Sequence, residues 1–322
     1  MFRLAVTIFS SVLLLVDSVV AEELQPSGRI SLPADSPFSS VRAVAWSPDG
    51  KLIAAGTHGV SVLVFDAASG TRLYALEHHF EDVSSVSWRP DGKQFASSSL
   101  DGTIAIWQTD TGKFARSLIG RSGPVSEVSW SPDGDRIASV SKGNVVTIWD
   151  PALGKITKRL DAENGRITAV AWGPRGEELA AASATGELLV WNVRTGKIER
   201  RIQAHLAQTL SIAWNPNGSL LATGGQFDHT IRLWNPRSGE LLQTIEQAQS
   251  VTTLAWNLSG QILAAVLADK TIRIWNTATG ELLHTLDRHT EVVSSVSWNG
   301  NDRLASGSAD KQILLWDISP GR

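Results

Sequence analysis

Seven tryptophans, Trp46, Trp88, Trp130, Trp172, Trp214, Trp256 and Trp298, are each separated from the next by 42 residues. A second series, Trp107, Trp149, Trp191, Trp234, Trp275 and Trp316, runs in parallel, with Phe65 in the one place it lacks. The two series account for all 13 Trp of the 322-residue chain. The tryptophan count is therefore a repeat count: two aromatic columns, seven rows, one substitution. A chain that repeats one short unit folds as an array of identical supersecondary modules, none of which buries its apolar face alone.

Other columns give the unit its shape. Two residues before the first Trp stand Val44, Val86, Val128, Val170, Ile212, Leu254 and Val296, and one residue before it stand only Ala or Ser. An aliphatic column beside a small one reads as a strand whose faces alternate, the small face pressed against a neighbour. After the Trp comes a turn, as in Ser-Pro-Asp-Gly at 47–50 and 131–134 and Arg-Pro-Asp-Gly at 89–92. There Pro presets the turn, Asp bonds its own backbone and Gly takes positive φ. A second strand carries a constant Ala (54, 96, 138, 180, 222, 264, 305), a third ends at the second aromatic, and a fourth follows a Gly-rich turn. The unit is four short strands with no helical pattern.

A period of about 40–45 residues with four strands per unit means propeller blades. The paired aromatics, with Trp-Asp at 149–150 and 316–317 and Trp-Asn at 191–192, 234–235 and 275–276, resemble the WD-repeat β-propeller family, in the form of an exported, bacterial, seven-repeat member. The resemblance spans residues 28–317 and says little of chemistry, because function lives in sites grafted on folds. The expected fold is all-β: a seven-bladed propeller of four-stranded blades. Blade seven runs out of chain after Trp316. Gly28 lies 18 residues before Trp46, the offset that Gly70, Gly112, Gly154, Gly196 and Gly280 keep before their own Trp. Residues 28–32 thus have the register of a fourth strand without a blade, predicted to complete blade seven and remove its open edge.

Ahead of that strand, Met1-Phe2-Arg3, the apolar run 4–16 and the small residues before Glu22 read as a signal peptide, residues 1–21, cleaved after Ala21. The run is shorter than the ~20 residues of a spanning helix. The expected organisation is a leader and a propeller over 22–322, exported to the periplasm or beyond, with no stable membrane span after processing. With no Cys there is no disulfide, thiolate metal site or cysteine nucleophile. A formal net charge of −3 lacks the basic excess of a nucleic-acid binder. The seven His show no zinc-site spacing and no Gly-rich phosphate loop precedes a helix. No metal and no cofactor are expected.

Repeat two holds His79, Ser99, Asp101 and Trp107, and repeat seven holds His289, Ser308, Asp310 and Trp316. Ser, His and Asp together suggest a nucleophilic triad. Yet an active site is normally single, whereas a packing device recurs with its repeat, and no Gly-x-Ser-x-Gly elbow exists. The family resemblance implies a structural tetrad in which the Ser–His–Asp chain accepts the buried indole N–H. Repeat five keeps His205, Asp228 and Trp234 around an extra residue near Phe227. Ser141 and Ser183 stand as candidate acceptors for Trp149 and Trp191 in blades whose sets are incomplete.

With chemistry set aside, the informative residues are those that break the pattern in exposed loops. Phe38 and Phe80 stand eight residues before the first Trp of adjacent blades and form a candidate hot spot on one rim, unless the ring covers its own loops. Arg121, Arg166, Leu206, Phe227 and His229, with His58, add variation on that side. Residues 155–201 hold nine Lys or Arg against six acids, several on outer strands, where charge keeps an edge from pairing. The sequence therefore reads as a non-enzymatic, monomeric ring that presents loops to a protein or peptide of unknown identity. The rivals are an extracytoplasmic enzyme or small-ligand sensor with its site at the central channel mouth, and a structural subunit of a larger assembly.

Overall fold

The computed structural model describes residues 24–32, 40–120, 123–141 and 143–319. These form seven antiparallel sheets of four strands each, and no helix occurs among the described residues. In six blades the strands are neighbours in chain order. The seventh sheet takes Gly28–Ser31 as its outer strand, beside Gln312–Asp317, Arg303–Ser308 and Val293–Asn299. The predicted closure is thus present, in the register Gly28↔Leu315 to Ser31↔Gln312. Ser27 and Leu32 extend it with backbone bonds to Leu315 and Lys311. Residues 1–21, the expected leader, lie outside the described residues.

The register explains both aromatic columns. In blade two, Trp88 is paired with Phe95 and Phe95 with Trp107, so the three rings lie side by side across the sheet. Their centroids are 4.8 and 6.4 Å apart. An aliphatic residue takes the place of Phe95 in the other blades, as Ile137 does between Trp130 and Trp149. The small column also has its reason. Ala45, Ser87, Ser129, Ala171, Ala213, Ala255 and Ser297 are each paired with the constant Ala of the second strand. All seven of those alanines are 0% exposed. The result is a flat, small-residue face on each blade, and the aromatic face of the next blade packs onto it. Ala54, Val62 and Val64 of blade one share a core cluster with Val86, Trp88, Phe95 and Trp107 of blade two. The small residue also lets the next indole reach the backbone. Trp88 Nε1 donates to the Ala45 carbonyl (3.0 Å), and Trp172, Trp256 and Trp298 do the same toward Ser129, Ala213 and Ala255.

Between blades seven and one, bonds from backbone N–H to serine hydroxyls close the ring. Trp46 N donates to Ser297 Oγ and Val44 N to Ser295 Oγ, both at 3.1 Å, and the Arg303 guanidinium lies 4.9 Å from the centre of the Trp46 ring. No helix of the described residues is long and apolar enough to cross a membrane.

Candidate functional site: the loop face and the channel

Antiparallel strands put two kinds of connection on opposite faces of the ring. The loops entering each blade and the turns between second and third strands share one face. The Ser-Pro-Asp-Gly turns, with φ of 70° at Gly92, share the other. Of the pattern-breaking residues singled out above, His58, Phe80, Arg166, Leu206, Phe227 and His229 belong to the first, the loop face.

The hydrogen-bonded sets beneath that face differ from expectation in one member. In blade two, Trp107 Nε1 donates to Ser97 Oγ (2.9 Å), Ser97 Oγ lies 2.8 Å from His79 Nε2, and His79 Nδ1 lies 3.2 Å from Asp101. The serine of the set is therefore Ser97 and not Ser99. In blade seven it is Ser306 and not Ser308: Trp316 Nε1 and His289 Nε2 both meet Ser306 Oγ at 2.8 Å, and His289 Nδ1 lies 2.8 Å from Asp310. The physical reason is reach. The third-strand Trp pairs with Phe95, and Ser97 is the next residue on the same face, whereas Ser99 lies two residues further along the strand. Ser99 Oγ instead donates to the Glu81 carbonyl and accepts from Asp101 N, and Ser308 does the same with Glu291 and Asp310.

Blade five is complete as well, with Thr223 as its hydroxyl: Trp234 Nε1 and His205 Nε2 both meet Thr223 Oγ1 at 2.9 Å, and Asp228 holds His205 Nδ1 at 2.9 Å. Its extra residue is absorbed in the turn, where His229 adopts φ 52°. Gly225 is required there, since a Cβ would sit 1.9 Å from Asp228 Oδ1. In blade three, Trp149 bonds Ser139 and not Ser141. Ser183 bonds Thr185 and Glu187 N rather than Trp191.

These distances are those of a Ser–His–Asp triad, but the surroundings are not. Ser97, Ser306 and Thr223 are 0% exposed, and the lone pair a nucleophile would use takes an indole N–H. Burial pushes the His79 and His205 imidazoles below their ordinary value, so both are neutral at pH 7. Burial alone would raise Asp101, but bonds from Thr103 and the Phe80 and Thr103 backbone N–H groups outweigh it and hold the carboxyl low. Asp310 is held low against burial by His289 and by Thr290 and Gln312 N–H. The sets thus tie loop to turn. Asp101 accepts from Phe80 N (2.9 Å) and Asp310 from Thr290 N (3.1 Å), so the residue after each His has a fixed backbone.

That residue points outward. Phe80 is 85% exposed, and Leu206, directly after His205, is 86% exposed. The ring does not cover these loops. Phe227, beside Asp228, is 67% exposed, so blade five carries two apolar side chains flanking one His–Asp contact. Arg166 is exposed and His229 half-buried. Phe38 and Arg121 lie outside the described residues, and with Phe38 the expected aromatic pair.

The basic outer strands have a role that edge charge alone does not describe. Lys158 Nζ donates to the Val193 and Arg194 carbonyls of the next blade (2.8 and 2.7 Å), and Arg200 Nε to the Arg237 carbonyl (2.7 Å). Among the described residues no three His, Cys, Asp or Glu converge as a metal site would require. Two cavities of about 700 Å³ open between blades on the opposite face, one around Arg89, Gln108 and Trp130, the other around Pro48, Pro90 and Lys93. The channel is smaller, about 240 Å³, and lined from the first strands of all seven blades. Its wall is mostly Ser, Thr and Ala, but it includes Glu127 and Arg42, which the columns alone do not single out.

Residues 40–249 match the family model described as the IFT122 first beta-propeller, and residues 243–301 match that of the anaphase-promoting complex subunit 4 WD40 domain. A search of curated proteins gives no match.

Proposed function

The chain belongs to the IFT122 first beta-propeller family of WD-repeat propellers, and on that premise we propose that it is a non-enzymatic scaffold that binds a protein or peptide through its loop face. WD-repeat propellers are generally protein-interaction scaffolds. One observation carries the finer reading. In two of the three blades with a complete hydrogen-bonded set, the residue following the buried His is a large apolar side chain almost wholly in water; Asp101 holds the backbone of Phe80, and Leu206 directly follows His205, which Asp228 holds. Apolar side chains on fixed backbone are anchors that lose little entropy on binding. Blades two and five stand on opposite sides of the ring, so Phe80 and the Leu206/Phe227 pair grip a partner that spans the channel mouth. The residue pattern of 1–21 supports a location outside the cytoplasm, with the leader removed.

The test is affinity capture from an exported fraction with the wild-type chain and a Phe80→Ala/Leu206→Ala/Phe227→Ala variant. Because the three side chains are exposed, the variant's thermal midpoint stays unchanged. A partner retained by the wild type and lost by the variant supports the loop-face reading; equal recovery on both baits rejects it.

A further inference from the structure

The wall of the central channel is built so that its hydroxyl protons point away from the space it encloses. Ser84 Oγ donates to the Val125 carbonyl, Ser126 to Val140, Thr252 to Val266 and Ser294 to Val41. Thr168 Oγ1 likewise lies within bonding distance of the Thr209 carbonyl. A hydroxyl has one proton and two lone pairs. With the protons committed to carbonyls, what these side chains offer a ligand is acceptor oxygen.

Into this wall blade three contributes a carboxyl. Glu127 Oε2 accepts from Val170 N at 3.0 Å, and Val170 N is the bond that joins it to the next blade. The equivalent bond between blades seven and one, Val44 N to Ser295 Oγ, is made by a serine. A hydroxyl therefore suffices for the structural duty, and the charge of Glu127 is surplus to it. Enclosure in the ring raises this carboxyl to about 7, even against the lowering by Val170 N–H. The other charged residue of the wall, Arg42, is engaged elsewhere. Its guanidinium lies 3.5 Å from Asp82 at the mouth, and Asp82 also meets His58 Nδ1 at 3.1 Å.

We propose that the channel binds a primary ammonium group, with Glu127 as its counter-ion and the Ser and Thr oxygens of the wall as acceptors of its N–H bonds. A divalent metal fits less well, because Ca²⁺ and Mg²⁺ draw on several charged or carbonyl oxygens and the wall supplies one carboxylate. An ammonium carries three donors and one charge, which matches one carboxylate among hydroxyl acceptors. A space of about 240 Å³ takes the head of an amine and excludes a drug-sized molecule. The group arrives either as a free small amine or as the lysine side chain of a partner. This inference stands apart from the loop-face reading, since it uses none of Phe80, Leu206 or Phe227.

The experiment is isothermal titration of the full chain, at constant ionic strength and at pH 6 and pH 8, with methylammonium, N-acetyl-lysine methylamide and tetramethylammonium. Only ionised Glu127 binds, so methylammonium affinity rises about tenfold from pH 6 to pH 8 as the ionised fraction rises. In Glu127→Gln the affinity at pH 8 falls at least tenfold and the pH dependence disappears. Binding of both methylammonium and the lysine analogue assigns the channel to a partner's side chain; binding of methylammonium alone assigns it to a free amine. Either supports the proposal. It is overturned if methylammonium binding does not saturate, if Glu127→Gln binds equally well, or if tetramethylammonium, which has no N–H, binds as tightly.

Discussion

At the scale of single residues the repeat works by matching pairs. Ten residues before the second aromatic, Ser97, Ser139 and Ser306 supply a hydroxyl to Trp107, Trp149 and Trp316, while Ala55 stands before Phe65, which has no N–H to satisfy. This column was legible in the sequence, and it would have picked Ser97 over Ser99. Ser99 lies nearer Asp101 in the chain, but hydrogen bonding follows strand register. Blades four and six break the pairing: Ala181 stands before Trp191, and Ala265 before Trp275, whose Nε1 is buried without a partner, as is the Nε2 of Gln247, in the position of the histidine. Ala265→Ser places a hydroxyl where Ser97 sits in blade two and offers an acceptor to both groups. Relieving a buried orphan donor contributes about 1–2 kcal/mol. The thermal midpoint of Ala265→Ser should rise by about 1–4 °C; a fall in midpoint would show that the second strand of blade six has no room for the oxygen.

At the scale of elements, the closing strand was legible from a single glycine offset, because a repeat whose last copy is short can be completed only by chain from elsewhere. The cross-blade role of the outer strands was not. A lysine on a strand edge looks the same whether it repels other chains or reaches a neighbouring carbonyl, and only the angle between blades brings Lys158 to Val193 and Arg194. The closing strand itself is short. Gly28–Ser31 brings four paired positions, and its main apolar contribution is Ile30, 4% exposed in a cluster with Ile313, Leu315 and Trp46. Truncating such a side chain costs about 2–5 kcal/mol. Deletion of residues 22–34 removes that side chain, Leu32 and the ladder bonds together, so it should lower the midpoint more than Ile30→Ala does. Calorimetry of the two variants beside the wild type checks this, and an unchanged midpoint in the deletion would mean that blade seven is stable with three strands.

At the scale of the whole ring, two groups of titrating side chains pull stability in opposite directions with pH. Asp101, Asp228 and Asp310 are held low in the folded state, and burial lowers His79 and His205. In each case the unfolded chain takes up a proton at a higher pH than the folded one. Their stabilisation is therefore present at neutral pH and lost on acidification, first as the unfolded histidines charge near pH 6.5 and then as the aspartates protonate. Glu127 acts the other way. Raised from 4.5 to about 7, it holds its proton longer in the folded chain, so its contribution is intact below pH 4.5 and is lost as pH rises through about 7. The full loss corresponds to about 3 kcal/mol. Glu127→Gln keeps an acceptor for Val170 N and removes the charge, so wild type and variant should have similar stability near pH 4.5, diverge between pH 4.5 and 7, and differ by about 3 kcal/mol at pH 8 with the variant the more stable. Urea unfolding across that range reads the difference directly. Curves that stay parallel at every pH would mean that water in the channel solvates the carboxylate fully. If they diverge as stated, the ring carries an ionised group that weakens it at neutral pH, and a bound cation in the channel would restore that stability in proportion to its affinity for the ionised state.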